Sequence, residues 1–158
     1  MDPIKLPLHG GAVEPLKIIE DDRGAVLHML RQDSDQFTKF GEIYFSEVNP
    51  GVVKAWKRHR KMTQLFAAPR GTLHLALYDA RENSPTYKEL REYELGRPDH
   101  YQLIKIPPGV WYGFENTGQE KALIANCADM PHDPQESETL PLESGPVKVN
   151  WRSQTNSA

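Results

Sequence analysis

Lys57, His59, Gln64 and Tyr112 are of types, and at spacings, that suit proton transfer. Lys57 and His59 are two residues apart, so on a strand their side chains share a face. The four groups offer an amine, an imidazole, an amide and a phenol. That set is poor for a divalent metal, which takes several imidazole, thiolate or carboxylate ligands. It suits removal of a proton beside a carbonyl, which needs a base, a donor for the developing enolate oxygen and an acid. His59 is the better base, with Tyr112 as proton donor or oxyanion partner. Lys57 has two possible roles. As a cation it stabilises an enolate or holds a phosphate. It becomes a base only where burial or neighbouring cations disfavour its charge, and Arg58, Arg60, Lys61 and Arg23 are the candidate cations. The first role is favoured. The competing reading of His59 is a hydrogen-bonded interior histidine with no chemistry.

The residues around these four form two spaced frames. Gly51 to Gly71 (GVVKAWKRHRKMTQLFAAPRG) keeps the spacing of the first cupin motif, G-x5-H-x-H-x4-E-x6-G. Pro107, Gly109, Tyr112 and Asn116 keep that of the second, P-x-G-x2-H-x3-N. Of the four metal-ligand positions in those motifs, only that of His59 still carries a ligand. The resemblance implies a small β-barrel pocket without metal or other cofactor.

Composition sets bounds on the elements that must position these groups. A chain of 158 residues is read as one domain, 1–158, able to bury a core without disulfides. Its 13 prolines favour turns over helices, and the single Cys127 precludes an intrachain disulfide. The net charge of −3 argues against a nucleic-acid partner. The cluster Lys54, Lys57, Arg58, Arg60, Lys61 reads better as a pyrophosphate site at a barrel mouth, although Arg58 is more readily explained as facing solvent. No apolar run reaches the roughly 20 residues of a membrane helix, and the first ten residues lack a signal-peptide core. The expectation is a cytoplasmic protein with no membrane partner.

Strand-like segments recur between turn signals. They cover Pro15–Glu20, Ala25–Arg31, Glu42–Asn49, Gly71–Asp79, Tyr87–Leu95, Gln102–Ile106, Trp111–Glu115 and Lys121–Cys127, with a return at Val147–Trp151. In Gly71–Asp79, Leu73, Leu75 and Leu77 fall on one face and His74, Ala76 and Tyr78 on the other. Residues 1–11 read as an arm ordered only against a partner subunit, and 152–158 as a frayed tail. The fold class is all-β, a cupin double-stranded β-helix or jelly-roll barrel. Trp56, Trp111 and Tyr44 could stack on a nucleotide base or sugar, with core packing as the default.

Further blocks carry a more specific resemblance. They are Asp22-Arg23-Gly24, Pro50 to Lys54, Gly71, Asp79 to Thr86 (DARENSPT), Gln102 to Phe114 (QLIKIPPGVWYGF) and Asp129. In this order they resemble the dTDP-4-dehydrorhamnose 3,5-epimerases and related dTDP-sugar ketoisomerases over about Ile18 to Trp151. The resemblance implies a metal-free homodimer acting on a nucleotide-diphospho-sugar. It implies that Arg23 and Lys54 contact the diphosphate or sugar, and that Gln64, His28 and Trp111 belong to the substrate site. It also exposes departures. Lys57 stands where the epimerases have their base histidine, and Tyr112 where a second pocket histidine is usual. Ala125 stands at the position of an acid tyrosine, and His28 at that of a carboxylate. The expected function is epimerisation or isomerisation of a dTDP-4-keto-6-deoxyhexose-type substrate by proton abstraction next to the ketone. The alternative is a cupin that binds nucleotide sugars without turning them over.

Overall fold

A computed structural model of the chain describes residues 6–152. Two five-stranded antiparallel sheets face each other. The first has the order β1 (Ala12–Pro15), β9 (Gln102–Ile106), β6 (Gln64–Arg70), β11 (Ala122–Ala128), β4 (Glu42–Val48). The second has β12 (Ser137–Thr139), β5 (Val53–His59), β10 (Val110–Asn116), β7 (Leu73–Asp79), β8 (Leu90–Leu95). A separate hairpin pairs β2 (Ile18–Asp21) with β3 (Gly24–Leu27). This is the jelly-roll barrel expected from the strand spacing.

Alternation decides which side chains fill the barrel. Leu73, Leu75 and Leu77 point inward with Phe66, Ile104, Tyr112, Phe114 and Ile124. The opposite face of the second sheet carries Val53, Trp56, Ala76 and Trp111, which the C-terminal segment covers with Val149 and Trp151. On the outside of the first sheet, Leu65, Leu103 and Cys127 are covered by Leu16, Met29 and Leu30. Each sheet thus has an apolar layer on both faces.

The glycines of the sequence frames mark chain reversals that other residues cannot make. Gly71 (φ +80°) turns β6 into β7, where an added Cβ would lie 2.7 Å from Ala122 Cα. Gly109 (φ +87°) precedes β10 and donates its amide to His59 O at 2.8 Å. The Asp79 to Thr86 block is a polar turn closed on one buried carboxylate. Asp79 accepts from Arg81 Nε, Ser84 Oγ and Thr86 Oγ1 at 2.9, 2.6 and 2.6 Å. That block holds a loop and stands outside the cavity described below.

Several boundaries differ from expectation. The segment read as one strand from Pro15 to Glu20 breaks at Leu16, because Leu16 turns inward under the first sheet while β2 leaves to form the hairpin. Strand β3 ends at Leu27, short of the expected Arg31. The return at Val147–Trp151 packs as a cover without pairing. The N-terminal arm needs correction too: Leu8 is 2% exposed in the barrel core, and Leu6 O accepts from Arg91 Nε at 2.6 Å. From residue 6 on, the arm is therefore ordered by its own chain. Residues 1–5 and 153–158 of the expected arm and tail lie outside the described residues.

Candidate active site

Between the sheets lies an open cavity of about 970 Å³. Strand β4 lines it with Glu42, Tyr44 and Ser46, and strand β5 with Lys54 and Lys57. Phe66, Tyr112, Phe114, Ile124 and Asn126 form the depth, and Leu140 to Leu142 the rim. The rim is pinned by reciprocal backbone bonds between Trp56 and Leu140, both 3.0 Å.

Lys57 and Tyr112 are register partners on β5 and β10, so both point into the barrel. Tyr112 is held on two sides. Phe66 meets its ring edge-on at 5.4 Å, and the His59 imidazole stacks parallel to it at 6.2 Å. His59 therefore does not line the cavity. It lies behind the phenol, 4% exposed, with Nε2 3.4 Å from Tyr112 Oη.

The other face of that imidazole explains its charge. His59 Nδ1 lies 2.6 Å from Glu136 Oε1. The second carboxylate oxygen accepts from the amides of Lys61 and Met62, both at 2.8 Å. Burial disfavours ionisation of Glu136, but these three hydrogen bonds outweigh it and hold the carboxyl below its ordinary value. Burial is the dominant influence on His59 and pushes the imidazole below its usual range, with Glu136 opposing. A neutral ring beside a carboxylate carries its proton on Nδ1, which leaves Nε2 as a free acceptor facing Tyr112. Burial also lifts the Tyr112 phenol well above its ordinary value, so it stays protonated.

A polar floor continues from Tyr112. Its hydroxyl lies 3.2 Å from Gln64 Oε1, which also accepts from Asn126 Nδ2 at 2.9 Å. Asn126 Nδ2 in turn reaches Tyr44 Oη at 2.9 Å. Asn126 Oδ1 is buried with no partner among the described residues. Such an orphan costs about 1–3 kcal/mol and is uncommon in folded proteins.

Of the residues singled out in the sequence, Lys54, Lys57 and Tyr112 line the cavity, while His59 and Gln64 sit one layer behind it. Lys54 Nζ is bonded to Glu47 O at 2.7 Å at the mouth. One expectation is corrected, and two further residues stand away from this chain's cavity. Trp111 faces away from the cavity, because it is one residue from inward-facing Tyr112; Arg58 covers its ring at 4.5 Å. Arg23 sits on the β2–β3 hairpin, 89% exposed and paired with Asp21, away from this chain's cavity. His28 follows the same hairpin, its backbone tied to Lys17 and Tyr101. The basic cluster also divides. Arg58 and Arg60 pair with Glu138, leaving Lys54 and Lys57 as the cluster's cations at the cavity.

Ala125 is paired with Phe45, and Ile124 and Asn126 are the inward residues of β11. Glu136 and Asn126 were missed by sequence reasoning, while Tyr44, a stacking candidate there, lines the cavity. Glu136 lies in a proline- and acid-rich stretch with no motif of its own. The period of two along Glu42–Val48 does place Tyr44 opposite the outward Ile43 and Phe45. Among the described residues, no three His, Cys, Asp or Glu side chains gather as a metal site would require.

Glu136→Gln tests the buried pair. The folded carboxyl titrates below its unfolded value near 4.5. Its stabilisation is therefore complete above that value and is lost as pH falls through the lower folded one. The variant should be less stable by about 1–3 kcal/mol at pH 7. Denaturant unfolding from pH 7 to pH 3 should show the difference from the parent shrinking with acid. A constant difference would contradict a charged Glu136.

The family model described as dTDP-4-dehydrorhamnose 3,5-epimerase matches residues 5–158. A probable low-salt glycan biosynthesis epimerase, Agl13 of Haloferax volcanii, is 32% identical over 93% of this chain and 96% of its own length. The spore coat polysaccharide biosynthesis protein SpsL of Bacillus subtilis is 31% identical over 93% and 98%. The crystal structure of a dTDP sugar isomerase from Desulfovibrio desulfuricans G20 superposes with a TM-score of 0.86 at 57% identity, covering 88% of each chain. With its jelly-roll barrel, its open cavity and a family match across nearly the whole sequence, the chain belongs to the dTDP-4-dehydrorhamnose 3,5-epimerase family of dTDP-sugar epimerases and isomerases.

Proposed function

We propose that the protein isomerises a dTDP-4-keto-6-deoxyhexose by removing a proton from the carbon beside the ketone. The observation that carries this reading is the line Glu136–His59–Tyr112, which ends at the cavity wall. A neutral phenol is not itself a base. With His59 Nε2 behind it, Tyr112 can take the substrate proton while passing its own to the imidazole. The C–H electron pair becomes the enolate, and the imidazolium is paired with Glu136. Lys57, on the same wall, stabilises the enolate oxygen as a cation. Lys54, at the mouth, holds the diphosphate in this reading. The names of the two curated relatives support a product used in glycan or polysaccharide biosynthesis.

The test is incubation with dTDP-4-keto-6-deoxyglucose in D2O, following the C3 and C5 protons by NMR. The parent should exchange at least one of them, and Tyr112→Phe and His59→Gln should each slow exchange by about 10²–10⁴-fold. Binding of dTDP without exchange would replace this reading with that of a non-catalytic nucleotide-sugar-binding cupin.

The functional unit in this reading is a homodimer. Strand β4 is a sheet edge, and its outward residues Ile43 and Phe45 are 54% and 64% exposed. Phe40 nearby, and Ile19 and Val26 on the hairpin, are exposed as well. An apolar edge of this kind calls for a partner. A second copy would cover it and give the hairpin, with Arg23 and His28, a neighbouring cavity to reach. Light scattering should give twice the chain mass for the parent and a smaller mass for Phe45→Glu. A monomeric parent would contradict the dimer.

A further inference from the structure

We propose that Tyr44 is a second catalytic residue: its phenol on β4 and that of Tyr112 on β10 line the cavity from opposite sheets and are joined through the amides of Asn126 and Gln64, so that a sugar ring bound between them has a hydroxyl on either side.

The inference rests on the isomerase reading above and adds the step that reading leaves open. Inverting a carbon beside a ketone takes two groups. One removes the proton, and another returns a proton from a different side. The line Glu136–His59–Tyr112 supplies the first, but a proton given back along it restores the original configuration. Inversion needs a donor elsewhere on the wall.

Tyr44 meets the requirements of that donor. It lines the cavity from the opposite sheet to Tyr112. Its oxygen accepts from Asn126 Nδ2, and among the described residues no acceptor takes its hydroxyl proton. The hydrogen is thus free to point at a ligand. Burial pushes the phenol above its ordinary value, with the Glu42 carboxylate acting in the same direction, so the group is protonated at neutral pH. Asn126 cannot drift from the oxygen it serves, because the same amide nitrogen is anchored on Gln64 Oε1. Its fixed N–H also stabilises the phenolate that appears when the proton leaves.

The step balances without a co-reactant beyond water. The Tyr44 O–H bond breaks and its proton goes to the enolate carbon. The enolate electron pair becomes the new C–H bond and the carbonyl is restored. The phenolate is reprotonated from water in the open cavity, and the His59 imidazolium passes its proton through Tyr112 to the hydroxide left behind, which restores both side chains and the water.

Tyr44→Phe keeps the ring and removes only the donor. In D2O with dTDP-4-keto-6-deoxyglucose, the variant should lose inversion by at least about 100-fold while deuterium still enters the same carbon with retention, at a rate within about threefold of the parent. Calorimetry should find its dTDP affinity close to that of the parent. Inversion at the parental rate would overturn the proposal, as would exchange and inversion falling together while dTDP still binds. Should the variant fail to bind dTDP, Asn126→Asp supplies the same test. A carboxylate there would accept the Tyr44 proton and hold it from the substrate, so inversion should again fall more than exchange, and an unchanged ratio would overturn the role of Tyr44. Absence of exchange in the parent itself would defeat the isomerase reading first, and that outcome is visible without any substitution.

Discussion

A carboxylate that must remain charged where little water reaches it sets the arrangement of this site. Glu136 is 5% exposed, and an isolated anion there would be expensive. It persists because two backbone amides and one imidazole converge on it. The chain builds that convergence from its edge. Strand β12 adds to β5 through the pairs Ser137 with His59 and Thr139 with Lys57, and the short 3-10 turn Pro134–Glu136 just before it swings the carboxylate under the end of β5. The imidazole is fixed in ring plane and tautomer as a result, and the free nitrogen faces Tyr112.

From there the site is a division of labour by depth. The groups that handle charge, Glu136 and His59, are kept behind the wall. Phenols, an amide and two lysines line the cavity. A dry interior makes each buried hydrogen bond count for more and makes each unmet one more costly. The unpartnered oxygen of Asn126 is the unmet one, and it belongs to the residue that joins the floor to Tyr44. The barrel tolerates this polar seam beside an apolar cluster that includes Leu73, Leu75, Leu77 and Ile104.

Much of this was legible in the sequence, for physical reasons. Positive φ is cheap only for glycine, so Gly51, Gly71 and Gly109 held the frames even where the ligand histidines had gone. The period of two in Leu73, Leu75 and Leu77 gave the core face without ambiguity. The same period excludes Trp111 from the cavity once Tyr112 is placed inside. Arg23 and His28 could not be placed from sequence, since nothing local tells that β2 and β3 form a hairpin apart from both barrel sheets. Glu136 was illegible for a deeper reason. Its partners lie more than 70 residues away, and the stretch around it has the composition of a solvated tail.

The proposed chemistry depends on the state of the His59 ring, and nitrogen-15 NMR of the imidazole observes it directly. With the protein labelled at histidine and titrated between pH 8 and pH 5, the signal assigned by loss in His59→Gln should report a neutral ring protonated on Nδ1 at neutral pH. It should gain its second proton only below the ordinary histidine value of 6.5. A ring that is doubly protonated at pH 7, or that carries its single proton on Nε2, would leave Tyr112 no basic nitrogen to take its proton and would contradict the account.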